Sequence, residues 1–260
     1  MRLQSLEAGQ GPPLILLHGL FGSARNWGAV QKALAGDYRV VALDLRNHGA
    51  SPHAPGMDYA AQAADVAETL AALGIKRAVV LGHSMGGKAA MMLALTRPEL
   101  VDRLIVADIA PRPYLPALRA VVAALQALPL HARLTRQEAD QALRAAVPEA
   151  PLRSFLLQNL RFEAAPPSWR IGLAEIAAAM PEIEDFAPPP GARFEGPVLA
   201  MAGALSPYIR AEDHAAFRAL FPRISFASIP RAGHWLHAEN PEGFLAALKA
   251  FLAASRSGDS

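Results

Sequence analysis

The stretch Arg77-AVVLGHSMGGKAAMMLAL-Thr96 decides the fold of this chain. At its centre, Gly82-His83-Ser84-Met85-Gly86 has Gly-x-Ser-x-Gly spacing, with a β-branched and leucine run before it and small, apolar residues at helical spacing after it. Strand, motif and helix in that order are the context of a nucleophile elbow, in which a serine sits at the tip of a strained strand-to-helix turn. The flanking glycines suit this geometry because strand and helix backbones approach so closely that a Cβ would collide. The serine hydroxyl is then presented at a helix N-terminus.

Upstream, strand and helix patterns alternate. Leu14-IL-Leu17 is an apolar run bounded by Pro12-Pro13 and His18-Gly19 and reads as a buried strand, with Arg2-LQS-Leu6 as a weakly alternating edge strand. The Gly-punctuated loop His18-GLFGSARN-Trp27 follows, in the place where an elbow serine finds its second oxyanion amide. The candidate donors are the backbone N–H groups of Leu20 and Met85, with Phe21 as the alternative for the first. Trp27 to Ala35 reads as a helix, and Tyr38-RVVA-Leu43 as a strand running into the loop Asp44-LRNHGASP-His53, which Arg46 and His48 are expected to fix. Tyr59 to Leu73 is a helix with Gly74 at its C-cap position. This rhythm predicts a mostly parallel sheet with right-handed crossovers.

Downstream, Val101-DRLIVADIA-Pro111 supplies another strand, and Asp108 stands near its carboxyl end, where side chains face the ligand crevice of an open parallel sheet. The rhythm then stops. From Pro113 to about Phe194 the apolar spacing is helical (Leu115 to Leu128, Gln137 to Val147, Leu152 to Leu160, Trp169 to Met180) and no strand is evident. An all-helical lid is therefore expected over 112–194, inserted into a core of 1–111 and 195–260. Phe155, Leu156, Leu160, Phe162 and Trp169 are candidates for an apolar roof over an acyl pocket, joined by Phe21 and Trp235, with only two or three expected to reach substrate. Pro188, Pro189 and Pro190 mark the return linker, and Pro197-VLAMA-Gly203 and Ile224-SFAS-Ile229 complete a sheet of about seven strands, with a helix from Ala211 to Leu220 between them. A final helix is expected from Pro241 to Leu252, and the polar tail 255–260 is expected to fray.

Ser84 needs a base and an acid. His234, in Ala232-Gly233-His234-Trp235 after the last strand, is the base candidate. The turn after Val198 to Ala202, Gly203-ALSPY-Ile209, holds no carboxylate, so the acid is either Asp108 or, further along, Asp213. The order Ser84, Asp108, His234 matches the nucleophile, acid, histidine order of elbow enzymes. Lys88, one turn after Ser84, reads as solvent-facing or packed on the helix, with attraction of an anionic acyl group as the alternative. His234-x-x-His237 brings no further ligands, so no metal and no organic cofactor is expected.

Composition closes off other classes. The 260 residues are 52% hydrophobic and 18% charged, which describes a globular chain with one core. Cysteine is absent, so disulfides and thiolate chemistry are excluded. No apolar run has the length of a membrane span, and Met1 to Pro13 lacks the apolar centre of a secretory signal, so a cytoplasmic location is expected. The formal charge is +2 and the arginines are dispersed, which argues against nucleic acid as a partner.

At this level of detail the chain resembles the α/β-hydrolase superfamily, and within it the YbfF-type esterases and their abhydrolase-domain-11 relatives. The residues that carry the resemblance are His18-GLFG-Ser23, Asp44-LRNHGASP-His53, Gly82-HSMGGKAA-Met91, Ala107-DIA-Pro111, Gly203-ALSP-Tyr208 and Ala232-GHWLHA-Glu239. The resemblance implies an α/β-hydrolase fold, an acid at Asp108, and hydrolysis of small to medium carboxylic esters, with acyl-CoA thioesters as an extension. Another reaction on the same scaffold (C–C bond or lactone hydrolysis) and a non-catalytic ligand-binding module are the competing expectations.

Overall fold

The computed structural model describes residues 1–163 and 165–254; the polar tail 255–260 lies outside the described residues. The first half runs β1 (Ser5–Ala8), β2 (Pro13–Leu17), α1 (Gly28–Leu34), β3 (Arg39–Leu43), α2 (Tyr59–Ala72), β4 (Ala78–His83), α3 (Met85–Thr96) and β5 (Val101–Ala107). An insertion then carries α4 (Arg119–Ala127), α5 (Arg136–Leu143), α6 (Ala150–Leu157), β6 (Leu160–Arg161), β7 (Ser168–Trp169), α7 (Leu173–Ala178) and α8 (Met180–Glu184). The chain returns through β8 (Val198–Gly203), α9 (Asp213–Leu220), β9 (Ile224–Ile229), α10 (Leu236–Glu239) and α11 (Pro241–Ala254).

The main sheet has seven strands in the order β1-β3-β2-β4-β5-β8-β9. Every neighbouring pair is parallel except β1 with β3. Because strand side chains alternate, consecutive residues of one strand enter opposite cores. Ile15, Leu17, Val80, Leu104 and Val106 pack with α2, α3, α9 and the insertion, whereas Leu14, Leu16, Leu81, Ile105 and Ala107 pack with α1 and α11. Strands β2 and β4 are covered on both faces, which is why they read as unbroken apolar runs.

Two expectations are corrected. The edge strand begins at Ser5 rather than Arg2, because the N–H groups of Leu3 and Gln4 are taken by the Thr69 and Ser51 hydroxyls and do not extend a ladder. The insertion is not all-helical: Leu160 pairs with Trp169 and Arg161 with Ser168 in a small antiparallel hairpin. The apolar spacing of Leu152 to Leu160 runs past the point where α6 ends, because Asn159 turns its side chain to the Phe21 carbonyl at 2.8 Å and its own carbonyl to the Arg170 N–H at 2.7 Å.

The insertion is fastened above the carboxyl ends of the strands. Tyr59 Oη donates to the Ile183 carbonyl at 2.6 Å, Met57 N–H to the Glu182 carboxylate at 2.8 Å, and Gly172 N–H to the Asn47 carbonyl at 2.8 Å. No helix among the described residues is long and apolar enough to cross a membrane.

Candidate active site

Ser84 lies between β4 and α3 with φ +53° and ψ −120°, a left-handed conformation that a serine adopts only when its surroundings hold it there. Its N–H donates to the Ala107 carbonyl at 3.0 Å and its own carbonyl accepts from Lys88 N–H at 3.1 Å. A Cβ on Gly82 would sit 2.1 Å from the Gly86 carbonyl oxygen, and one on Gly86 would sit 2.5 Å from the carbonyl oxygens of Leu17 and His18. All of these contacts are to backbone, which has no rotamer with which to give way. Gly86→Ala is therefore expected to displace the elbow, lowering the thermal unfolding midpoint by several degrees and activity by more than the lost folded fraction; calorimetry alongside an ester assay checks both.

Three side chains from distant positions meet at the elbow. His234 Nε2 lies 3.1 Å from Ser84 Oγ, and His234 Nδ1 lies 2.8 Å from Asp108 Oδ2. Asp108 is fully buried at the end of β5, also at positive φ (+53°), and its backbone N–H is bound to the Met201 carbonyl at 2.8 Å. Its Oδ1 accepts from Gly203 N–H at 3.0 Å and its Oδ2 also accepts from the Ser206 hydroxyl. The carboxylate is thus oriented by three donors, one from the end of β8, one from the turn after it and one from His234. Asp213 is not part of this chain of contacts: it pairs with Arg112 Nε at 2.7 Å and accepts from Arg210 N–H at 2.9 Å.

The imidazole of His234 is held on its face as well as its edge. Tyr208 stacks on it with ring centroids 4.1 Å apart, and the Tyr208 carbonyl accepts from Tyr114 Oη at 2.6 Å. The neighbour of Ser84, His83, donates from Nε2 to the His234 carbonyl at 2.8 Å, so the elbow steadies this imidazole through the backbone as well. Burial holds the His83 pKa well below its ordinary value, so this ring is neutral when it donates. Neither tyrosine was picked out from the sequence. The one available signal was Tyr208 itself, in the turn that lacks a carboxylate.

The strand-to-helix loop after β2 engages the N–H groups of Leu20 and Phe21 differently. Phe21 N–H donates to His48 Nε2 at 3.0 Å, while His48 Nδ1 donates to the Arg46 carbonyl at 2.9 Å. His18 is used similarly, accepting from Leu45 N–H at 3.0 Å and donating to the Gly19 carbonyl at 2.8 Å. Burial lowers the pKa of His48 to about 3 and of His18 to about 4, so both rings keep the neutral tautomers these bonds need. Phe21 N–H is thereby occupied. The N–H groups of Leu20 and Met85 make no such turn or loop bond among the described residues, and both residues line the pocket beside Ser84.

That pocket has a cavity volume of about 70 Å³, opens to solvent, and is walled by Ile109, Tyr114, Leu118, Met180, Ile183 and Tyr208. None of Phe21, Phe155, Leu156, Leu160, Trp169 and Trp235 lines it. Leu156 and Leu160 are at most 2% exposed because they fill the core shared by the insertion and the sheet, and Phe21 is 4% exposed in the same cluster. Phe155 packs its ring on Trp235 at 6.0 Å, and Trp169 pairs with Leu160 in the hairpin. Helical spacing identified apolar faces in the insertion; it did not tell which of them turns toward Ser84. The solvent-facing reading of Lys88 is corrected in favour of the packed one. It is 1% exposed and lines the pocket.

His237 lies against the Trp27 ring at 4.7 Å and the Phe244 ring at 6.0 Å. Among the described residues no group of three His, Asp or Glu side chains stands close enough together to hold a metal ion.

Comparison with known proteins agrees with this architecture. Residues 12–241 match the family model for the alpha/beta hydrolase fold. The chain is 40% identical over 250 residues to a Mus musculus protein named sn-1-specific diacylglycerol lipase ABHD11, covering 93% of this chain and 81% of that one. It is 35% identical over 241 residues to esterase YbfF of Escherichia coli (strain K12), with 92% of each covered. A solved structure described as a marine microorganism esterase superposes with a TM-score of 0.93 at 35% identity, covering 96% of this chain and 99% of the other. The chain belongs to the α/β-hydrolase fold family. It is an enzyme of the hydrolase class, similar to proteins named as esterases and lipases.

Proposed function

We propose that this chain is a serine carboxylesterase acting on small to medium acyl esters through an acyl-enzyme on Ser84. The observation that carries the proposal is the hydrogen-bonded line Asp108–His234–Ser84 at the tip of a strained elbow. In this mechanism His234 Nε2 takes the Ser84 proton as Oγ attacks the ester carbonyl, then returns it to the departing alcohol oxygen. Water enters, gives its proton to His234, and releases the acid from Ser84 by the same steps in reverse. Asp108 holds Nδ1–H in the required tautomer and stabilises the imidazolium. The N–H groups of Leu20 and Met85 receive the oxyanion, and losing one such donor typically costs about 2.7–4 kcal/mol of transition-state stabilisation. In the same proposal, residues 1–111 and 195–260 are the catalytic core and 112–194 a cap whose α8 and the segment before α4 roof the pocket.

A panel of p-nitrophenyl acetate, butyrate, octanoate and palmitate, with acyl-CoA thioesters and a diacylglycerol as further arms, tests the reading. Turnover is expected to peak on the shorter esters, because the pocket beside Ser84 is small and walled by tyrosines. A folded protein silent on every arm would turn attention to lactone or C–C bond hydrolysis.

A further inference from the structure

Burying an ammonium is costly unless a counter-ion accompanies it. Lys88 lines the nucleophile's pocket, yet no ion pair to it exists among the described residues. The two nearby carboxylates are engaged elsewhere: Glu184 binds Arg119 at 2.5 Å, and Asp185 Oδ1 accepts from Phe186 N–H at 2.8 Å. Nζ donates instead to two backbone carbonyls at the end of α8, Glu184 at 3.1 Å and Asp185 at 2.8 Å. It lies over the faces of Tyr114 and Tyr59, 4.9 and 5.4 Å from the ring centroids. These dipoles and ring faces orient the ammonium but bring no negative charge, and one of its three protons has no oxygen acceptor in the described structure.

Position gives that proton a use. Ser84 stands at the N-cap of α3 and Lys88 in the helix's first turn, and both line the same pocket. Met85, Ile109, Leu118, Met180 and Ile183 make most of the wall apolar, and the carboxylate of Glu184, which also lines the pocket, is neutralised by Arg119. A ligand complementary to this arrangement has a reactive carbonyl at one end, a short methylene run, and an anion at the other.

We infer that Lys88 forms a carboxylate subsite, and that the preferred acyl group is a short dicarboxylic half-ester of succinyl, glutaryl or adipyl length. The inference rests on the esterase proposal for the chemistry at Ser84. Burial lowers the Lys88 pKa to about 7, with Asp185 and Glu184 raising it and Arg112 lowering it. The groups facing it from the packed elements are Tyr59 on α2, Arg112 and Tyr114 before α4, Arg119 on α4, and Glu184 and Asp185 at the end of α8. The ammonium form, and with it the subsite, is present below about pH 7 and is lost above it.

Monomethyl glutarate and methyl valerate differ only in a carboxylate in place of a terminal methyl group. The ratio of their kcat/KM values, charged over neutral, is expected to fall about ten- to hundredfold in Lys88→Met, the scale of one charge-assisted hydrogen bond. In the wild-type enzyme the same ratio is expected to fall between pH 6 and pH 8.5, and pH effects on the chemical step itself cancel because both substrates share it. A ratio that is flat with pH and unchanged in the variant overturns the subsite and leaves Lys88 as a pin for α8. Calorimetric titration of the wild-type protein with glutarate needs no turnover. Binding at pH 6 that weakens at least tenfold at pH 8.5 supports the subsite, even if every ester proves inert and the esterase proposal fails. Absence of glutarate binding at millimolar concentration overturns it even if ordinary esters are cleaved.

Discussion

Ser84→Ala is expected to reduce ester turnover by roughly 10⁶-fold, the scale on which removing one member of a mutually dependent nucleophile set acts. The loss should appear in kcat with substrate binding little changed, because the alanine keeps the pocket and both oxyanion donors. The elbow backbone should survive, since its left-handed turn is fixed by Ser84 N–H on Ala107 and by the close approach at Gly82 and Gly86 and not by the hydroxyl. Circular dichroism and thermal unfolding establish that the variant is folded. Wild-type-like turnover by a folded Ser84→Ala would remove the nucleophile assignment and the mechanism with it.

Asp108→Asn and Asp213→Asn are expected to separate cleanly. In the first, an amide meets His234 Nδ1 and the Ser206 hydroxyl, both of which act as donors in the native arrangement. The imidazole is then driven toward the tautomer that cannot accept the Ser84 proton, and kcat is expected to fall about 10⁴-fold. In the second, the partner lost is Arg112, so the expected result is a lower unfolding midpoint with kcat within a few-fold of wild type. Rates measured with one short p-nitrophenyl ester, normalised to folded protein, decide between them. If Asp213→Asn loses kcat as Asp108→Asn is expected to, the acid has been misassigned.

The alternation of apolar runs and helical segments predicted the parallel sheet and its helices because such strands are buried on both faces and leave little ambiguity in composition. The elbow was legible for a related reason: Gly82 and Gly86 are dictated by backbone contact, which leaves its mark in the residue type itself. The lack of a carboxylate near Ser206 narrowed the acid candidates to Asp108 and Asp213, with the family resemblance pointing to Asp108, and the structure adds what no spacing conveyed, that the Ser206 hydroxyl reaches the Asp108 carboxylate. The pocket wall was illegible. Leu156 and Leu160 are as apolar as Ile183 and Met180 and all four lie in one core cluster, and only the placement of α8 gives the second pair a face on the pocket as well. Lys88 was misplaced because a lysine is normally found at the surface, and its burial depends on two carbonyls nearly a hundred residues away in sequence.

The positions of Asp108 and His234 in the sheet are unequal. Asp108 follows β5, flanked on both sides by β4 and β8, whereas His234 follows β9 at the sheet's edge. Amides on an interior strand exchange with solvent only through large-scale opening, while an edge strand can release at lower free energy. Partial loosening of β9 and its loop would carry His234 away while Ser84 and Asp108 stay seated in a folded sheet. On mild heating, ester turnover is then expected to fall before the fold is lost, and to return on cooling when the edge strand docks again.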